Sequence, residues 1–253
     1  MQLHITRIIF AFSLLFICLS FSNSHSFKSE QAKYPHVRTA YIEKWNIVKA
    51  KLTKAGIDTS KFEIFIRVFK REESMEIWAR SKHAGTFSLV DTYDICRASG
   101  RLGPKRKEGD MQVPEGFYHV SVFQPNSEFY LALQVSYPNK ADLIKGDKAS
   151  PGGDIMIHGN CVTIGCMPMT DDKIKEIYIM AVEAHSKGQQ TIPIHIFPTK
   201  LDDKGMTFLK NSAPDKTTID FWNSLKSGYD YFEMKKLIPN IGIDANGDYT
   251  LEK

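Results

Sequence analysis

The stretch Gly152-Gly153-Asp154-Ile155-Met156-Ile157-His158-Gly159-Asn160-Cys161-Val162-Thr163-Ile164-Gly165-Cys166 holds the residue types for covalent chemistry. An apolar run delivers His158 at its end, Gly159 opens a loop, and Cys166 follows shortly before a helix expected from Thr170. A thiol near a helix N-terminus has its thiolate favoured by the dipole, and a nearby imidazole can take its proton. Gly165 lets the backbone turn so that amide groups face a developing oxyanion. Cysteine, base and glycine are the minimum set for acyl transfer through a thioester. Such a pair titrates as a unit, with an acidic limb near the histidine range of about 6.5.

Residue types alone leave other readings open. A single histidine at a strand end is usually structural, and Cys161 and Cys166 are close enough in sequence for a local disulfide. His158, Cys161 and Cys166 also supply three metal ligands, but zinc usually needs a fourth, and no second CxxC or HxxxH lies nearby. Asp244-Ala245-Asn246-Gly247-Asp248 mimics the start of a calcium loop; its glycine falls too early, so a polar turn is expected. Lys105-Arg106-Lys107 reads as a solvated loop, with a contact to substrate carboxylates as the alternative.

The elements that position these residues follow from periodicity and punctuation. Residues 1–26 read as a secretory leader. Arg7 is the sole formal charge, the apolar run Ile8 to Leu19 has twelve residues, and small residues follow. The alternative is an uncleaved membrane anchor, although a spanning helix needs about 20 apolar residues. Removing the leader removes Cys18 and leaves Cys96, Cys161 and Cys166, an odd count that implies a leftover thiol in an oxidising compartment. Cys161 is expected either free or paired with Cys96. The formal charge of +4 is thinly spread, with no basic cluster interleaved with aromatics, so nucleic acid is not an expected partner.

Pro35 to Gly56 reads as a helix from the spacing of Tyr41, Trp45, Val48 and Leu52. From Phe62 the period becomes two. Phe62 to Phe69 and Met75 to Ser81 suggest a hairpin. Further strands are expected at Phe87 to Ile95, Gly116 to Phe123, Phe129 to Tyr137, Asp154 to His158 and Ile192 to Phe197. A helix follows Thr170 with Ile174, Ile177, Tyr178, Ala181 and Val182 on one face, and Thr218 to Leu237 is a second helix candidate. The fold class is therefore mainly β, of sandwich or barrel type. The expected domains are a 27–61 helical lead-in, a 62–198 core and a 199–253 helical extension.

Ile157-His158-Gly159 followed by Thr163-Ile164-Gly165-Cys166 resembles the signature of the L,D-transpeptidase catalytic domain, or YkuD domain, in which His-Gly precedes [Ser/Thr]-x-Gly-Cys. Ser99-Gly100-Arg101-Leu102-Gly103-Pro104-Lys105, Gly109-Asp110, Pro114-Glu115-Gly116-Phe117-Tyr118 and Val135-Ser136-Tyr137-Pro138-Asn139 resemble its YafK-like subgroup of murein transpeptidases and hydrolases. The resemblance implies a β-sandwich with one helix after the nucleophile. It implies Cys166 as nucleophile attacking a carbonyl at a meso-diaminopimelate residue, His158 as base, and the Gly159 carbonyl as the group that fixes its tautomer. It further implies an oxyanion hole from the Gly165 and Cys166 amides and substrate contacts at Tyr137, Asn160 and Thr163, with Thr163 chiefly bracing the loop.

Two departures stand out. Ile164 occupies the place of a second histidine common in the family, and Met167-Pro168-Met169 stands where many members carry an arginine. No metal and no cofactor is expected. The implied partners are peptidoglycan stem peptides and an outer-membrane lipoprotein attached to peptidoglycan, in the periplasm. The implied reaction is hydrolysis of that link, with cross-linking transpeptidation or a non-catalytic wall-binding module as alternatives.

Overall fold

The computed structural model describes residues 26–82 and 85–252. The expected leader therefore lies, except for Ser26, outside the described residues. Among them no helix is long and apolar enough to cross a membrane.

The elements in chain order are α1 (Phe27–Gln31), α2 (Pro35–Lys54), β1 (Phe62–Phe69), β2 (Ser74–Ser81), β3 (Ser88–Asp94), β4 (Gly116–Ser127), β5 (Tyr130–Val135), α3 (Lys140–Lys145), β6 (Met156–His158), β7 (Met167–Pro168), α4 (Asp171–Ser186), β8 (Pro193–Phe197), α5 (Asp203–Ser212), α6 (Lys216–Lys235), β9 (Ile241–Ile243) and β10 (Tyr249–Leu251). β1 to β8 form one curled sheet in the order β3-β2-β1-β8-β4-β5-β6-β7. β4 makes the curl. Its first residues pair with β8 and its remainder with β5, and the register slips between Val120 and Val122 and again between Gln124 and Ser127. Such irregularities bend a strand and raise its twist, so one long strand serves two half-sheets. The mainly β architecture with helices at both ends is the one expected.

β1 shows why the sheet sits between helical layers. Ile64, Ile66 and Val68 enter the core that also contains Val37, Val48 and Leu52 of α2 and Ile174, Ile177 and Tyr178 of α4. Phe65 packs with Phe232, and Phe69 with Trp222, Leu225 and Tyr229 of α6. Side chains alternate across a strand, so a strand buried on both faces must be apolar nearly throughout. The polar residues of β1 are the half-buried Glu63 and the buried Arg67; Arg67 is 1% exposed, ion-paired with Glu233 at 2.7 Å and stacked over the Phe232 and Tyr229 rings. α2 is held on α4 by Lys44–Asp172 and Lys51–Glu176 pairs, each at 2.5 Å. Asp244 to Asp248 is the turn of the β9–β10 hairpin. The Asp244 carboxylate accepts from the Asn246 and Asp248 amides.

Candidate active site

The site is set by the two short parallel strands β6 and β7. Their register pairs Ile157 with Met167 and His158 with Pro168. Ile157 and Met167 point into the core beneath. Alternation sends His158 to the opposite face, and extending the register by one residue pair sends Cys166 to that same face. The two are diagonal neighbours on that face, and both line one cavity.

His158 is 1% exposed. Its Nδ1 meets the Gly159 carbonyl at 2.5 Å, so Nδ1 carries the hydrogen and Nε2 is left as the acceptor. The Phe129 ring lies 4.6 Å away, tilted by 33°. Gly159 must be glycine here, because a Cβ would stand 2.7 Å from the Phe129 carbonyl and from Asp171 Oδ1. Asp154 and Asn160, on either side of β6, have φ of 53° and 60°. Left-handed backbone at two non-glycine residues around so short a strand is the local strain that clusters at functional sites.

Cys166 is free, half-buried, and its Sγ donates to the Asp154 carbonyl at 3.5 Å. Burial pushes its pKa up. The Met156 backbone hydrogen bond and the charge of Lys105 oppose that rise, and the charge of Asp154 adds to it. Burial also pushes the His158 pKa down, with the Gly159 carbonyl opposing it. Both shifts favour the neutral form of each group, the opposite direction to the dipole effect on the thiolate. α4 begins only after β7, and its N-terminus is already engaged by the Thr170 hydroxyl and by Asp171, which accepts from the Asn160 amide.

Thr163 organises the loop. Its hydroxyl donates to the Cys166 carbonyl at 2.8 Å and accepts from the Cys166 amide at 2.9 Å and the Gly165 amide at 3.2 Å. The two amides expected to face an oxyanion are therefore both turned to Thr163. Gly165 has φ of 137°, a region that favours glycine. Cys96 and Cys161 form a disulfide with a Cα separation of 5.5 Å, which realises one of the two expected states of Cys161 and leaves Cys166 as the thiol.

Two cavities meet at Cys166. One, of about 310 Å³, is lined by Arg97, Phe129, His158, Thr163, Ile164 and Cys166. The other, of about 240 Å³, adds Lys70, Ser99, Arg101 and Val113 to Arg97 and Cys166. The structure thus brings together His158, Gly159, Thr163, Gly165 and Cys166. Asn160 lies apart, in an open depression with Cys161 and Asp171. Tyr137 is buried, with its hydroxyl donating to the Pro151 carbonyl at 2.8 Å. Lys105 is also committed internally, to Asp110 at 2.7 Å and the Lys107 carbonyl at 2.9 Å. The structure adds Arg97, Arg101 and Phe129; the signals for them in the sequence are that Arg97 follows Cys96 directly and that Arg101 sits inside the Ser99–Lys105 stretch. Among the described residues no group of three or more His, Cys, Asp or Glu is placed to hold a metal ion.

The chain is similar to known proteins. YafK of Escherichia coli (strain K12), named a candidate L,D-transpeptidase, is 38% identical over 192 residues, which is 75% of this chain and 74% of YafK; YafK of strain O157:H7 gives the same figures. Among solved structures, the helical cell shape determining protein Pgp2 of Campylobacter jejuni covers 78% of this chain and 80% of its own, at 16% identity and a TM-score of 0.44. Bd1075 of Bdellovibrio bacteriovorus covers 56% and 50%, at 21% identity and a TM-score of 0.38. The L,D-transpeptidase catalytic domain named YkuD matches residues 63–196, from the start of β1 to the end of β8, and encloses both His158 and Cys166. By that match and by its identity to YafK, the chain belongs to the L,D-transpeptidase family of enzymes.

Proposed function

We propose that the protein is an exported, periplasmic cysteine acyl-transfer enzyme acting on diaminopimelate-containing peptidoglycan peptides, with Cys166 as nucleophile and His158 as base. The carrying observation is that the free thiol shares a sheet face with an imidazole whose Nδ1 is fixed by the Gly159 carbonyl. Sγ attacks the peptide carbonyl as its proton passes to His158 Nε2. The C–N bond then breaks and the leaving amine takes that proton, which leaves a thioester. Water, deprotonated by the same imidazole, releases the acyl group as a carboxylate and restores the thiol. The Gly165 and Cys166 amides serve the oxyanion once Thr163 yields them, and the 62–198 segment acts as the catalytic domain between helical extensions.

Water is the proposed acceptor, and the proposed substrate is the link between peptidoglycan and a covalently attached lipoprotein. The cavity beside His158 holds the cation Arg97 and no carboxylate in its lining, so it offers an incoming ammonium nothing to pair with. The meeting of two cavities at Cys166 favours cross-linking as the second reading, since a donor and an acceptor peptide need separate space. Incubating the protein with lipoprotein-bearing peptidoglycan and reading products by mass spectrometry decides between them. Released lipoprotein is expected, with none from Cys166→Ser. New cross-linked muropeptides would make the enzyme a transpeptidase, and full turnover by Cys166→Ser would remove the nucleophile assignment.

A further inference from the structure

The cavity of about 240 Å³ beside Cys166 does not end there. It shares Arg101 and Leu102 with a larger one of about 530 Å³, whose walls include Arg106, Lys107 and the residues that open α6, Asp215 and Thr218. The surface therefore forms a continuous trough from His158, past Cys166 and Arg97, past Arg101, to Arg106 and Lys107. Of its cations, Lys70 is paired with Glu115 and the Arg106 guanidinium stacks over the Phe221 ring. Among the described residues the ion-paired arginines are Arg67 and Arg80, both elsewhere. Arg106 Nη1 is buried without a hydrogen-bond partner. The carboxylates sharing these walls are Glu73, Asp110 and Asp215. Asp110 is spent on Lys105 and on the Arg106 and Lys107 amides, and Asp215 caps α6 through the Thr218 amide.

The backbone under the trough is fixed. The Cys96–Cys161 disulfide ties the start of the segment to the catalytic loop, and the Cys96 amide donates to the Pro168 carbonyl at 2.9 Å. Ser99 Oγ donates to the Met111 carbonyl at 2.7 Å, the Arg101 amide to Gln112 Oε1 at 3.0 Å, and the Gly103 amide to Glu115 Oε1 at 2.8 Å. Glu115 is fully buried, paired with Lys70 at 2.9 Å and hydrogen-bonded by Trp222 of α6 at 2.7 Å. Arg97 and Arg101, in no ion pair among the described residues, stand on a backbone braced at four points and are organised in advance for carboxylates.

We propose that this trough binds the acyl-donor peptide as an extended polyanion, with carboxylates on successive residues read by Arg97, Arg101 and Arg106 in order of distance from Cys166. This rests on the acyl-transfer reading above and gives it a direction: the donor runs from the thiol toward α6. It also supplies, from a different loop, a cation near the thiol of a chain with Met167-Pro168-Met169 after its cysteine.

The test is equilibrium binding to the full-length Cys166→Ala protein by calorimetry. The probes are a soluble stem tetrapeptide with all carboxylates free and its fully amidated counterpart. The free acid is expected to bind about tenfold tighter than the amide at low salt, and Arg101→Gln to weaken the acid about five- to tenfold. Arg101→Lys should recover part of the loss. Lys210→Gln, an equal charge change on α5, should leave acid binding unchanged. Equal affinity for acid and amide, or an equal loss from Lys210→Gln, overturns the trough as a carboxylate reader. Discrimination in binding together with no turnover by the wild-type protein would keep the trough and remove the acyl-transfer reading.

Discussion

Replacing His158 with alanine separates two ways in which a cysteine can be made to react. Burial holds the Cys166 thiol above its ordinary range and the His158 imidazole below its own. An unperturbed thiol of pKa about 8.5 is only about 3% ionised at pH 7, and Cys166 is expected to fall below that. Iodoacetamide, which needs the thiolate, should therefore alkylate Cys166 more slowly than a small free thiol at pH 7. Its rate should rise about tenfold per pH unit through the ordinary cysteine range. Acyl transfer is different, because Nε2 removes the proton as the bond forms. Its rate should be level above about 6.5 and decline only below it, since the imidazole stays neutral to lower pH than a free histidine.

His158→Ala should cut acylation by on the order of a hundredfold, about 2.7 kcal/mol in barrier, while changing alkylation by less than about twofold. The assay is the rate of iodoacetamide labelling and of acylation by a carbapenem, each from pH 5 to 9, in both proteins. Alkylation that is fast and flat down to pH 6 in the wild type, and slowed in the variant, would show a preformed thiolate–imidazolium pair and refute this reasoning. The sign for stability follows from the same shift. The unfolded imidazole binds a proton at a pH where the folded one resists it, so His158 removes stability as the pH falls through about 6.5.

Two further outcomes are expected. Thr163→Val leaves the Gly165 and Cys166 amides without their acceptor; it should cost about 2 kcal/mol in denaturant unfolding, whereas Thr163→Ser should restore the stability. A variant that kept full stability would mean the loop is held by something else. Removing the disulfide with Cys96→Ala and Cys161→Ala frees a loop of 65 residues; it should cost about 4 kcal/mol of stability and raise KM with Cys166 still labelled, and an unchanged KM would show that the disulfide does not position Arg97.

The sequence alone determined what depends on near neighbours. Period-two patterning placed β1 at the residues the structure shows, Thr170 marked the N-cap of α4, and His158-Gly159 with Gly165-Cys166 marked the family. Each rests on contacts within a few positions, where propensity and steric rules act. The α2 range was equally legible, but the short α3, the helix α5 and the β9–β10 hairpin were not, because packing rather than a long amphipathic period sustains them. What only the tertiary structure decided is what distant segments bring to the thiol. Cys96 reaches Cys161 across 65 residues, Phe129 covers His158, and the loop carrying Arg97 and Arg101 is braced through Glu115 to Trp222 of α6. It also sets the direction in which burial shifts both groups. Burial depends on every element that closes over the site: desolvation pushes the Cys166 pKa up, and the helix end expected to oppose it begins beyond β7 and is already capped.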